Sequence, residues 1–161
     1  MFRNNLLLVL FILGLSSCNP VGEEITALDL SEGEIATAEN VTLKKGDVVT
    51  IWAKVTSSSE DKSPAFRVKF NIETKGQSIL LDSLNVSNED HVINSKKTKE
   101  SYSQSSSKGD STIYYTLHEY ETESRKFTAP YDGKYAFDFK LMSQSNSFGF
   151  NHSKLSIILR K

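Results

Sequence analysis

From about residue 34 onward, apolar and polar residues alternate with a period of two, and no window repeats convincingly at the helical period of about 3.6 residues. Val49, Ile51, Ala53 and Val55 fall on one side of such a pattern, with Thr50, Trp52 and Lys54 on the other. Phe66, Val68, Phe70 and Ile72 alternate in the same way with Arg67, Lys69, Asn71 and Glu73. So do Tyr135, Phe137, Phe139 and Leu141 with Lys134, Ala136, Asp138 and Lys140. One buried and one wet face per strand is what an antiparallel sheet packed on a single side requires. Lys44-Lys45-Gly46-Asp47, Lys75-Gly76-Gln77, Ser107-Lys108-Gly109-Asp110 and Tyr131-Asp132-Gly133 each separate two such segments, with Gly supplying the positive φ of a hairpin turn. The pattern predicts strands near 35–43, 48–56, 66–74, 78–84, 97–104, 112–121, 125–128, 134–143 and 154–160. Eight or nine short strands predict an all-β, two-layer antiparallel sandwich over residues 34–161. Ser57–Pro64 and Asn85–Ser95 are polar enough to be loops at the sandwich ends, and Lys96–Ser107 fits either an edge strand guarded by its lysines or a disordered segment.

The start of the chain follows a different rule. Arg3 precedes an unbroken apolar run from Leu6 to Leu15, which as a helix covers about 15 Å, half of a bilayer core of about 30 Å. That is the build of a secretory signal rather than a membrane span. Leu15-Ser16-Ser17-Cys18 resembles the lipobox of bacterial lipoproteins. The resemblance implies that residues 1–17 are a signal peptide cut before Cys18, whose thiol takes a diacylglyceryl group and whose new amino terminus is acylated. Two or three acyl chains, each buried methylene contributing about 0.8 kcal/mol, hold a domain to a membrane without a spanning helix. Pro20 stands where enteric lipoproteins kept in the inner membrane carry Asp, so the resemblance implies an outer-membrane address, on the periplasmic or the surface side. Asn19–Gly33 contains Glu23, Glu24, Asp29 and Glu32 and no basic residue, which makes residues 18–33 an acidic tether.

Further on, Lys126-Phe127-Thr128-Ala129-Pro130-Tyr131-Asp132-Gly133-Lys134-Tyr135-Ala136-Phe137 resembles the F-x-A-P-x-x-G-x-Y-x-F segment of jelly-roll-like sandwiches. Secreted pre-peptidase C-terminal domains, GOLD domains and C1q-like domains carry versions of it. Val41–Val49 is similar to the early hairpin of such domains. The resemblance implies a jelly-roll-like β-sandwich and carries no activity with it.

Composition narrows the chemistry. The 161 residues hold 19 Lys+Arg against 20 Asp+Glu, so a formal charge of −1 offers no field for nucleic acid. A single Cys forbids an internal disulfide, and 23 serines make the chain polar without making it charged. No G-x-S-x-G elbow singles out a nucleophile among them. His91, His118 and His152 stand alone, and Glu119, Glu121 and Glu123 share a strand face without a calcium loop. No metal, cofactor or catalytic residue is therefore expected.

One constellation remains. If Ile113, Tyr115 and Leu117 face the core, Tyr114, Thr116, His118 and Tyr120 face outward, and Trp52 points away from Val49, Ile51 and Val55. Trp52, Tyr114, His118 and Tyr120 are then candidates for a ligand-binding platform on which sugars or other amphipathic ligands stack. The same rings would serve equally to cover a tether, pack on a loop or line a second inner face. The expected function is a lipid-anchored envelope protein whose non-catalytic sandwich binds a protein or glycan or serves envelope assembly. The alternative is an accessory domain or hydrolase with a site in the loops at one sandwich end, marked by a cleft joining His118 or His152 to carboxylates.

Overall fold

The computed structural model describes residues 21–58, 65–86, 91–106, 109–145 and 153–161. Within them lie nine strands: β1 (Glu24–Leu30), β2 (Ile35–Leu43), β3 (Val48–Ser57), β4 (Ala65–Thr74), β5 (Gln77–Val86), β6 (Val92–Ser106), β7 (Gly109–Thr128), β8 (Gly133–Ser145) and β9 (Lys154–Arg160). They pair antiparallel in two sheets, one ordered β1-β9-β3-β7-β6 and the other β2-β8-β4-β5. With β6 set aside, four strands face four, and the chain changes sheets at every step except the β4–β5 hairpin. That is the winding of a jelly roll, with β6 added beside β7. No helix among the described residues is long and apolar enough to cross a membrane.

The alternation in β3, β4 and β8 builds the core as read from the sequence. Val49, Ile51, Ala53 and Val55 are buried against Phe66, Val68, Phe70, Ile72, Phe137 and Phe139 of the other sheet. Phe70 lies directly opposite Phe139 and stacks on it at 6.2 Å, while Phe127 meets Tyr135 and Phe137 edge-on at 5.7 Å. Aromatic pairs of this geometry add to what their burial alone contributes.

Two of the four expected hairpin turns are instead corners between the sheets. The β2–β3 turn and the β7–β8 link are laced together, because Gly46 N–H donates to the Ala129 carbonyl and Ala129 N–H to that of Asp47, both at 2.9 Å. Asp47 also takes the Lys44 N–H at 2.8 Å and pairs with Lys161, and these partners, Lys161 first, hold its carboxyl below the ordinary aspartate range. Gly46 has the expected positive φ of 87°, whereas Gly133 is not among the positive-φ glycines. Lys75-Gly76 is a true two-residue hairpin, with φ of 52° and 72° at its central positions as a type I′ turn demands.

Several boundaries differ from the sequence reading, among them that of Asn85–Ser95, read as a loop, whose residues 85–86 end β5 and 92–95 open β6. Glu24–Leu30, read as part of the 18–33 tether, is β1 and pairs with β9 from Glu24↔Arg160 to Leu30↔Leu155, so the domain begins earlier than residue 34. Its acidic residues lie on the wet face, while Leu28 and Leu30 pack against the core. The segments 112–121 and 125–128 are one strand, β7, whose pairing with β3 shifts register between Ile51 and Trp52. Lys96–Ser107, left open between edge strand and disorder, falls for residues up to Ser106 in edge strand β6. The signal segment 1–17 and Cys18 lie outside the described residues.

Strand β3 follows β7 only as far as Ser57↔His118, while β6 and β7 continue pairing from Thr98↔Leu117 to Ser106↔Gly109. A two-stranded arm of about 30 Å therefore projects from one end of the sandwich.

Candidate ligand-binding face

The outer face of the five-stranded sheet is hollow. Twist and curl of a large sheet make one face concave, and here the hollow crosses all five strands and encloses about 630 Å³. That volume is in the range of small-molecule sites, about 300–1,000 Å³.

Strand pairing dictates who lines it. Ile158 of β9 lies opposite Ala27 of β1, and Ser156 lies opposite both Asp29 and Lys54. On β7, Glu121 and Glu119 face Lys54 and Thr56, and the same side continues through Leu117 and Tyr115. Leu117, Ile158 and Ala27 are the apolar part of the lining.

The polar lining is tied down by specific contacts. Tyr115 donates its hydroxyl to Glu100 at 2.7 Å, and this carboxylate raises the phenol pKa above its ordinary value. Ser156 donates to Asp29 at 2.6 Å, and Lys54 pairs with Glu119 at 3.3 Å. Glu121 is buried, holding Arg160 Nη2 at 2.8 Å and Asn94 Nδ2 at 3.0 Å. Fixed carboxylates on an apolar bed are acceptors for hydroxyl, amide or ammonium groups. Five of them, Glu24, Asp29, Glu100, Glu119 and Glu121, stand against Lys54 and Lys154 in the lining, so the hollow disfavours an anion.

The four rings expected to form a platform do not share a face. Trp52 does point outward from β3, opposite Ile158, but is only 2% exposed because the His91 ring packs on it at 5.5 Å and the Arg160 guanidinium lies over it at 5.9 Å. Tyr120 lies opposite Val55 on the inner face and is 1% exposed. His118 shares Tyr120's side, its ring 5.2 Å away, with Nε2 3.1 Å from Ser95 Oγ. Tyr114, 79% exposed, stands on the arm. The assignment of faces along β7 is thus inverted: Tyr115 and Leu117, read as core, line the hollow, and Tyr120, read as outward, is core. The signal that locates the hollow was present in Glu119, Glu121 and Glu123, which alternate in step with Tyr115 and Leu117.

Each of those carboxylates has a basic partner, Glu123 holding Lys126 at 3.0 Å and lying 3.5 Å from His91. No group of three or more His, Cys, Asp or Glu side chains among the described residues is placed to hold a metal ion. His152 lies outside the described residues. No protein-family model, curated protein or solved structure matches the chain.

Proposed function

We propose that the chain is a cell-envelope lipoprotein, anchored in the outer membrane through Cys18, whose non-catalytic sandwich binds an extended polar ligand in the hollow of its five-stranded sheet. The observation that carries the binding role is that hollow, with a Leu117–Ile158 bed and carboxylates held in place by hydroxyl and basic partners. A glycan or a polar protein segment supplies the hydroxyl and amide donors such a surface accepts. The lipobox-like Leu15-Ser16-Ser17-Cys18 supports the anchor.

Two experiments test the two halves. Cells fed alkyne-palmitate should label the chain, and Cys18→Ala should abolish the label; an unlabelled wild-type protein removes the anchor. On a glycan array, or in pull-downs with envelope protein, Leu117→Arg should weaken binding by about tenfold or more, the equivalent of about 1.4 kcal/mol. Tyr114→Ala, on the arm, should leave that binding unchanged. Equal loss in both variants, or in neither, removes the hollow as the site.

A hydrolase reading has one observation in its favour, the 3.1 Å contact between Ser95 Oγ and His118 Nε2 beside Asn94, whose φ is 53°. A serine nucleophile needs its base oriented by a third group. No carboxylate pairs with His118 among the described residues, and the binding reading is the one the geometry supports better.

A further inference from the structure

One end of the outer face of the four-stranded sheet has the opposite electrostatics, while Glu73 and Asp138 lie toward its other end. Lys69 of β4 lies directly across from Lys140 of β8, and Arg67 follows two residues along β4 on the same side. Like charges directly opposite each other destabilise a sheet. None of the three has an ion-pair partner among the described residues. Asp138, the nearest carboxylate along β8, accepts the Thr37 hydroxyl at 2.7 Å, and Glu32 and Glu34 border the face at the β1–β2 turn.

Large apolar side chains surround these cations. Ile35, opposite Lys140, is 62% exposed, and Leu81, opposite Asn71, is 67% exposed. Met142 on β8 is exposed as well. Cations set among apolar side chains suit a surface that is anionic at its top and apolar just beneath, where long basic side chains reach headgroups and their neighbours dip below.

The chain's path brings such a surface close. Glu23 is clamped to Lys161 by backbone hydrogen bonds of 2.7 and 2.8 Å. Only four residues, and so five Cα–Cα steps, separate it from Cys18, a reach of at most about 18 Å. The leash enters at the start of β1, at the sandwich end that holds Asp47 and Lys161, whereas Ile35 and Lys140 lie toward the other end, beyond Leu30; its reach still exceeds the spacing of about 10 Å between packed sheets, enough to descend to the level of that face.

We propose that the face bearing Arg67, Lys69, Lys140, Ile35, Leu81 and Met142 lies on the anionic headgroups of the membrane in which Cys18 is anchored. This inference rests on the acylation of Cys18 proposed above. It turns the hollow, on the opposite side of the sandwich, away from the bilayer and toward a ligand. It also orients a domain that the acyl chains already hold, since basic residues near an anionic surface are drawn to it within a Debye length.

The test uses the full chain purified from membranes with its anchor, carrying a fluorescent thiol probe at Asn85→Cys, opposite Arg67, or at Ser111→Cys on the arm. Each protein is placed on phosphatidylcholine vesicles containing a nitroxide lipid, with or without one lipid in three replaced by phosphatidylglycerol. The probe at residue 85 should be quenched about threefold more on the anionic vesicles, and less at high salt. The probe at residue 111 should respond little on either. Arg67→Glu/Lys69→Glu/Lys140→Glu should return residue 85 to its level on neutral vesicles while the protein still floats with them. Unchanged quenching at residue 85 in a protein that floats overturns the docking and leaves the anchor standing. Failure to float with neutral vesicles overturns the anchor instead, and docking is then read from flotation with anionic vesicles: present and lost in the triple variant supports it, absent overturns it. Protection of residue 85 by soluble dextran sulfate but not by anionic vesicles overturns the membrane in favour of an anionic glycan.

Discussion

Trp52→Ala should destabilise the protein by about 3–5 kcal/mol, the usual cost of truncating a buried aromatic, and should shift the midpoint of urea unfolding accordingly. The reason is the covering of a side chain that points away from the main core. His91 lies edge-on to the indole, the Arg160 guanidinium sits over it, and the His91 carbonyl accepts the Glu123 N–H at 3.0 Å, fastening the segment that enters β6 over the ring. The indole Nε1 has no hydrogen-bond partner among the described residues. Trp52→Phe therefore loses volume but no hydrogen bond, and should cost less than about 1.5 kcal/mol. A Trp52→Ala protein with the wild-type midpoint would show the ring to be uncovered.

Trp52 also shows where local pattern stops being informative. Alternation along β3 places its side chain correctly, outward from Val49, Ile51 and Val55. Its burial depends on His91, on a different strand approach, and on Arg160 near the end of the chain, which no window around residue 52 contains. Strand β7 is a different case, because there the sequence held the answer. Tyr115 and Leu117 look like core by their apolarity, yet an unbulged strand that puts them inside must also bury Glu119, Glu121 and Glu123. The structure resolves the conflict by placing the whole odd-numbered set outside, up to the register shift opposite Ile51 and Trp52, and Tyr120 against Val55. Apolar residues in step with carboxylates were thus the mark of the hollow.

Strand β1 was hidden for a related reason. Ala27 and Asp29 face the hollow and Leu28 and Leu30 the core, but Glu24 falls out of step across the register shift between Glu24 and Thr26, and over so few residues the acidic content reads as a solvated leash. The core of β3, β4 and β8 was legible because bulky apolar residues recur there at every second position without interruption. The hollow was not, since β1, β9, β3 and β7 become neighbours only through the jelly-roll winding.

Glu121→Ala should cost up to about 3–5 kcal/mol, because it removes the 2.8 Å partner of a largely buried Arg160 guanidinium and leaves it only the half-exposed Glu24 carboxylate at 3.9 Å. Arg160→Ala should cost less than that, as Glu121 keeps Asn94 Nδ2 at 3.0 Å and Lys54 across the strand pair. Replacing both, as Glu121→Leu/Arg160→Met, removes two buried charges together and should return stability to near wild type, since a well-packed apolar pair often matches a buried ion pair. Denaturant unfolding of Glu121→Leu, Arg160→Met and the double variant closes a cycle that gives the coupling directly, and additive losses would show that the pair is not a unit. Lys54–Glu119 supplies the contrast within the same hollow: both side chains are more than a third exposed, and Glu119→Gln should change stability by only about 0–1 kcal/mol. The difference separates scaffold from surface within one lining, so a loss of ligand binding in Glu119→Gln reports on recognition, whereas the same loss in Glu121→Ala reports on a sheet that has lost its internal charge pair.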